Sequence, residues 1–300
     1  MTAPNLTFRE RLLEHASRIA EVPALVAPAA SITYGELAGE VHALATALRS
    51  RGVGPGAIVA LTARSEVDHL LAALALLELG APQVALASHD PPAMRLRLAR
   101  RVGATLVLAD RPDDAVAGLD RIDLGAALAS ARANPRGDAE PGFDAAIPAL
   151  YLTGSGTTGE PKVIRFSQHD LARHADNHIN FAGERVLRPA HVEYNNSKRM
   201  RLYTLWQGGT CVFADGTAES LHGQCARHRV TWLELSPLHG ADLLAASRVE
   251  GMLPACTAVR LGGARVPIAL RRAIMSAASP RLFVSYGTTE TSLIAIAEPS

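Results

Sequence analysis

No stretch of this 300-residue chain reaches 18 uninterrupted apolar residues, so no segment reads as a bilayer-spanning helix. Nor is charge of one sign in excess. Thirty Lys and Arg against 29 Asp and Glu leave a formal charge of +1, which gives no reason to expect nucleic acid or an anionic membrane as partner. Cysteine is scarce: Cys211, Cys225 and Cys256 are odd in number and widely spaced, with no CxxC pair. They read as buried thiols in a reducing compartment. The N-terminus, with Asn5, Arg9, Glu10 and Arg11, lacks an apolar signal core, and a cytoplasmic location is expected. Internal repeats and low-complexity tracts are missing too. What remains is a chain with 48% hydrophobic and 20% charged residues, the composition of a globular protein with a substantial core.

The first half alternates regularly. Phe8, Leu12, Leu13, Ala16 and Ile19 fall at helical spacing, and residues 24–26 and 31–33 suit a small hairpin. Thr33 and Glu36 form a capping box that opens a helix closed by Gly52. Apolar runs at 58–61, 83–87 and 105–108 predict buried strands. Between them lie one helix capped by Ser65 and ended at Gly80, and another that starts after Asp90 and is closed by Gly103. Strands and helices in alternation with short loops require parallel strands and right-handed crossovers, hence a doubly wound sheet. Residues 110–146 are rich in Asp, Arg, Pro and Gly, with a weak helical pattern near 123–132, and read as a connecting segment. The alternation then resumes, with strands expected at 146–152, 210–214, 231–235, 258–261 and 282–285. Helices are expected from Ser167 to about Phe181 and at 218–228, 237–247 and 267–278. This predicts a second α/β sheet and a division into 1–146 and 147–300.

The organising stretch is Tyr151-Leu152-Thr153-Gly154-Ser155-Gly156-Thr157-Thr158-Gly159-Glu160-Pro161-Lys162, directly after a predicted strand. Its three glycines let backbone approach a ligand. Ser155, Thr157 and Thr158 add hydroxyls, and Lys162 adds a positive charge. Successive backbone N–H groups in such a turn form a concave anion site, which suits a polyphosphate. A Walker loop needs Lys directly after the last glycine; Glu160 and Pro161 intervene here, so that reading fails. A surface turn without a ligand is the plainer alternative.

The stretch resembles the phosphate loop of the adenylate-forming superfamily, which comprises acyl-CoA synthetases, adenylation domains of nonribosomal peptide synthetases and luciferases. Their pattern is Thr-Ser-Gly-Thr-Thr-Gly-x-Pro-Lys-Gly. Ser155 to Gly159 and Pro161-Lys162 match it, while Gly154 and Val163 depart from it. The first half carries further likenesses in family order: Thr33-Tyr34-Gly35-Glu36-Leu37, Gly52-Val53-Gly54-Pro55-Gly56-Ala57 and Leu79-Gly80-Ala81. Near the end, Tyr286-Gly287-Thr288-Thr289-Glu290 resembles the family's Tyr-Gly-x-Thr-Glu motif. By that resemblance Tyr286 packs on adenine, Thr289 reaches the α-phosphate and Glu290 holds Mg²⁺. Those roles suit a flat apolar ring, a hydroxyl and a hard oxygen ligand. Taken alone, Glu290 would read as an exposed helix-start carboxylate. Leu261-Gly262-Gly263-Ala264 resembles the Gly-Gly pair whose backbone approaches adenine; a helix-start turn is the alternative.

The fold so implied is α/β, two stacked doubly wound, mostly parallel sheets with flanking helices, an N-terminal core without its C-terminal domain. The implied activity is ATP-dependent activation of a carboxylic acid as acyl-adenylate, followed by thioester formation on coenzyme A or a carrier protein. Ser155, Gly156, Thr157, Thr158, Gly159, Lys162, Gly262, Gly263, Ala264, Tyr286, Gly287, Thr288 and Thr289 are the implied ATP contacts. Lys162, Thr289 and Glu290 are implied in catalysis, and Gly262 and Gly287 also in substrate binding. Asn195 falls near the position where amino-acid-activating relatives keep an Asp for the substrate ammonium. An Asn cannot supply that charge, so an acyl or aryl acid is expected over an α-amino acid.

Other candidates are weaker. Lys198, Arg199 and Arg201 form a basic cluster that reads as a solvated face. His174 and His178 sit i, i+4 on a predicted helix but have no evident third ligand. His191, Glu193 and Trp232 could line a pocket or simply pack. The family's ribose-binding Asp, its hinge and its C-terminal Lys have no counterpart before Ser300. The chain is therefore expected to be part of a longer enzyme or, alternatively, a shortened non-catalytic relative that binds a nucleotide or a protein.

Overall fold

The structure, a computed structural model, describes residues 6–28, 30–135, 143–154, 162–214, 219–255 and 257–299, with only the backbone of Asn195. Its elements in chain order begin α1 (Phe8–Arg18), β1 (Pro23–Ala27), β2 (Ala30–Thr33), α2 (Tyr34–Arg49), β3 (Val59–Thr62), α3 (Glu66–Glu78) and β4 (Gln83–Ala85). Next come α4 (Pro92–Val102), β5 (Leu106–Ala109), β6 (Asp120–Asp123), α5 (Leu124–Ala133), β7 (Pro148–Gly154), β8 (Lys162–Ser167) and α6 (Gln168–Asp176). The last are β9 (Arg185–Arg188), α7 (Asn195–Trp206), β10 (Thr210–Phe213), α8 (Leu221–Arg227), β11 (Trp232–Leu235) and α9 (Pro237–Glu250), then β12 (Ala258–Leu261), α10 (Ile268–Ala277), β13 (Leu282–Thr288) and β14 (Ser292–Ala297). Among the described residues no helix is long and apolar enough to cross a membrane.

The chain divides into two compact units. The first comprises residues 1–22, 33–173 and 191–200; the second comprises 23–32, 174–190 and 201–300. The division is therefore not one cut after residue 146, and β7 and β8 count with the first unit.

In the first unit six strands form one sheet in the order β6-β5-β3-β4-β7-β8. All neighbours are parallel except β7 and β8. Local chemistry starts its helices where the sequence placed them. Thr33 and Glu36 cap each other's backbone N–H groups at α2, and the Ser65 hydroxyl accepts from the Asp68 N–H at α3. Gly103 ends α4 at φ 72°, in the left-handed region that favours glycine. Helix α3 is buried at every position from His69 to Glu78, apolar throughout Leu70–Leu77, as a helix in a core must be. Val84, Val107, Ala60 and Tyr151 from the sheet pack with Ala99 and Val102 of α4.

The second unit holds an eight-stranded sheet in the order β14-β13-β12-β11-β9-β10-β1-β2. Its central strands are parallel, and β14 is antiparallel to β13. Strands β10, β11 and β12 are buried at every position, the signature of parallel strands deep in a sheet. One face, with Leu187, Leu233, Leu235, Val259 and Leu261, packs against Leu243 and Ile274 of α9 and α10. Phe181, Val186, Trp232 and Ala258 form a separate cluster.

Candidate active site

The loop 155–161, with Ser155, Gly156, Thr157, Thr158 and Gly159, lies outside the described residues. Its two ends do not. Gly154 closes β7 and Lys162 opens β8, and the two are register partners in an antiparallel pair. The loop therefore connects a hairpin, whereas a Walker loop leads from strand into helix. Strand β8 was not expected, and Lys162 is exposed at its first position.

In the second unit, β13 runs on through Thr288, three residues past the expected end. A bulge falls between Tyr286 and Gly287. Tyr286 is 64% exposed, an aromatic residue at the carboxyl end of a parallel strand, where open α/β sheets bind ligands. Thr289 and Glu290 occupy the hairpin turn to β14, and Glu290 is exposed. Glu290 is thus on a β-turn and not at a helix start. Thr291 N–H donates to the Thr288 hydroxyl at 3.1 Å, and the two hydroxyls are 2.9 Å apart, which fixes the turn. Gly287 is required here because a Cβ would run into the Ser292 carbonyl oxygen. Ser292 itself has φ 61° and a buried hydroxyl with no partner among the described residues, a local strain of the kind found near functional turns.

Gly262, Gly263 and Ala264 follow β12, the parallel neighbour of β13. The Gly262 N–H donates to the Leu235 carbonyl at 3.1 Å, Gly263 has φ 83°, and a Cβ on Gly262 would overlap the Ser285 hydroxyl. Two candidate segments thus meet at adjoining strand ends. Lys162 and Asn195 belong to the first unit; Gly262 to Ala264 and Tyr286 to Glu290 belong to the second.

Asn195 is the first residue of α7, a helix the sequence did not announce. The basic cluster it carries is buried, contrary to the solvated face expected. Lys198 is 0% exposed, Arg199 4% and Arg201 3%. Arg199 lies over the Phe166 ring at 5.7 Å, and Arg201 donates to the Arg188 and Ala190 carbonyls. Burial pushes the Lys198 amine down to about 7, against the pull of Glu193. Helix α6 stops at Asp176, so His174 and His178 do not share a helix. Among the described residues no group of three His, Cys, Asp or Glu could hold a metal.

Two networks escaped the sequence reading. In the second unit, Glu234 joins Arg188 and Arg260 on neighbouring strands and accepts from Trp232 Nε1 at 3.0 Å. In the first, Glu193 accepts from the Ser88 N–H and hydroxyl, each at 3.0 Å, and from the Thr62 hydroxyl at 3.4 Å. Glu193 and Tyr194 line a cavity of about 130 Å³ with Ala85, Ala87, Met94 and Leu98.

Residues 12–300 match the family model described as AMP-binding enzyme. The chain is similar to an isonitrile lipopeptide synthase of Streptomyces coeruleorubidus, 30% identical over 95% of this chain and 20% of that protein. It is also similar to the fatty acid–[acyl-carrier-protein] ligase MmaC of Mycobacterium marinum, 27% identical over 98% of this chain and 60% of that one. Each curated relative thus extends well beyond the part this chain spans. Among solved structures, the N-terminal subdomain of Klebsiella oxytoca NpsA in complex with 3-hydroxyanthranilyl-AMSN superposes with a TM-score of 0.87 at 22% identity, over 99% of this chain and 78% of that one. The chain belongs to the AMP-binding enzyme family, and its two sheets are the N-terminal core of the adenylate-forming superfamily.

Proposed function

We propose that this chain carries the activation half-reaction of a carboxylate ligase. A carboxylate oxygen attacks the α-phosphorus of ATP, the bond from that phosphorus to the bridging oxygen breaks, and pyrophosphate leaves with acyl-AMP remaining. The observation that carries the reading is the meeting of the Gly262–Gly263 turn with Tyr286 at the ends of β12 and β13 in a chain of this family. Bare backbone and an exposed ring give a nucleobase a flat, apolar seat. The glycine- and hydroxyl-rich sequence before Lys162 supports a phosphate-binding role for that lysine, and Thr289 is the candidate for the α-phosphate.

Glu290 suits Mg²⁺: it is an exposed, hard oxygen ligand at a turn tip, and the ion usually completes its shell with phosphate oxygens and water. When bound, Mg²⁺ would offset the charge on the phosphates. Transfer of the acyl group to a carrier-protein thiol fits the carrier-dependent names among the relatives; coenzyme A is the other acceptor. We assign Asn195, the first residue of α7, to the acid: a side chain without charge favours an acyl or aryl acid over an α-amino acid.

The test is carboxylate-dependent exchange of labelled pyrophosphate into ATP by the complete gene product. Exchange lost in Glu290→Ala supports the reading. No exchange with any acid of a broad panel overturns it.

A further inference from the structure

The segment 191–194, which enters α7, is stitched down at almost every residue. His191 Nε2 lies 3.2 Å from the Arg64 carbonyl, and Val192 N–H donates to Glu66 at 2.7 Å. Glu193 N–H donates to His191 Nδ1 at 3.3 Å, so a proton on His191 Nε2 satisfies both ring nitrogens. The Glu193 carboxylate is 4% exposed and takes its three hydrogen bonds from Thr62 and Ser88. Thr62 ends β3 and Ser88 follows β4. The carboxylate therefore spans the carboxyl ends of two parallel strands, the edge at which open α/β sheets hold ligands.

Lys198 returns to the same place one helical turn later. Its backbone N–H donates to the Tyr194 carbonyl at 3.0 Å, closing the first turn of α7. Its amine reaches Gln83 Oε1 at 3.5 Å, and Gln83 Nε2 is fixed to the Ala73 carbonyl at 2.8 Å. A buried carboxylate is costly unless it is hydrogen-bonded, and Glu193 has those bonds from Thr62 and Ser88. Packing alone does not call for a buried carboxylate in the wall of a cavity.

We infer that Glu193 is a positioning residue for acid activation, clamping residues 191–194 across β3 and β4 so that Tyr194 and the first turn of α7 hold the acid side of the site in place. This rests on the ligase reading above.

The experiment is pyrophosphate exchange by the complete gene product with its best acid, comparing Glu193→Ala, Glu193→Gln and Ser88→Ala. Glu193→Ala is expected to raise the KM for the acid roughly tenfold and leave the KM for ATP within about twofold. The glutamine amide keeps an acceptor for Ser88 and a donor for Thr62, so Glu193→Gln restores most of the loss. Ser88→Ala, a smaller change, moves the acid KM the same way by roughly threefold. Hydrogen exchange of amides 191–198 rises in Glu193→Ala and not in Glu193→Gln. If the variants melt earlier but neither KM moves, or if both KM values rise together, Glu193 is merely structural and the inference is wrong. Wild-type protein without exchange on any acid removes the ligase reading and this inference with it.

Discussion

Gly154 and Lys162 are antiparallel partners, so the two ends of the segment 155–161 stand about 4.5–5.5 Å apart. The sheet holds the lysine at the foot of the loop without using its side chain, which is exposed.

Removing that charge should therefore cost activity and little stability. Lys162→Met is expected to lower kcat/KM for exchange by about 10²–10³, the usual loss for one preorganised charge-stabilising group. The melting temperature should stay within about 2 °C of wild type, as for exposed sites. A large drop in melting temperature would assign Lys162 a structural role.

Two glycines of the second unit should respond differently to alanine. At Gly287 a Cβ overlaps the Ser292 carbonyl, and relieving that overlap costs about 1–3 kcal/mol. At Gly263 nothing lies within reach of a Cβ, and only φ 83° is at issue, worth about 1–2 kcal/mol. Urea unfolding of both variants checks the order: Gly287→Ala should be the less stable.

The buried Lys198 predicts a stability that climbs with pH. Its amine is pushed by burial to about 7 in the fold, from the 10.5 of a solvated lysine. Between those values the unfolded chain binds one more proton than the folded chain. Stability then rises with pH across that window, by up to about 1.4 kcal/mol per unit from this group; the gain is lost as pH falls back from 10.5 towards 7, below which this group adds no slope. The difference between wild type and Lys198→Met, unfolded in urea across that window, isolates the slope. A difference independent of pH would contradict it.

Cys211 should be nearly inert. Burial pushes its thiol up to about 12, although Arg201 and Arg188 act to lower it, so almost no thiolate exists near neutral pH. Iodoacetamide followed by peptide mass spectrometry should find Cys211 unmodified in native protein and modified in urea. Fast native labelling would mean that the second unit opens readily.

Much of the fold was legible because local chemistry agreed with tertiary need. Thr33 with Glu36, Ser65 and Gly103 marked helix ends where the structure has them. Strand β6, inside what reads as a connecting segment, strands β8, β9 and β14 and helix α7 were not seen. Strand β8 alternates weakly, with Lys162 and Arg165 exposed. Helix α7 carries Ser197, Lys198, Arg199 and Arg201 inside, so it has no amphipathic stripe to find. At the candidate site, Gly262–Gly263 and Tyr286–Glu290 were visible as signature residues. The partners of Glu193 were not, because Thr62 and Ser88 lie 131 and 105 positions away.

The pairing of β7 with β8 has a consequence for engineering. With both feet planted in a single sheet, the seven residues between them form a cassette, and a matching segment from another family member can be spliced in without redesigning its surroundings. Swapping such cassettes would separate what the segment's composition does from what its frame does.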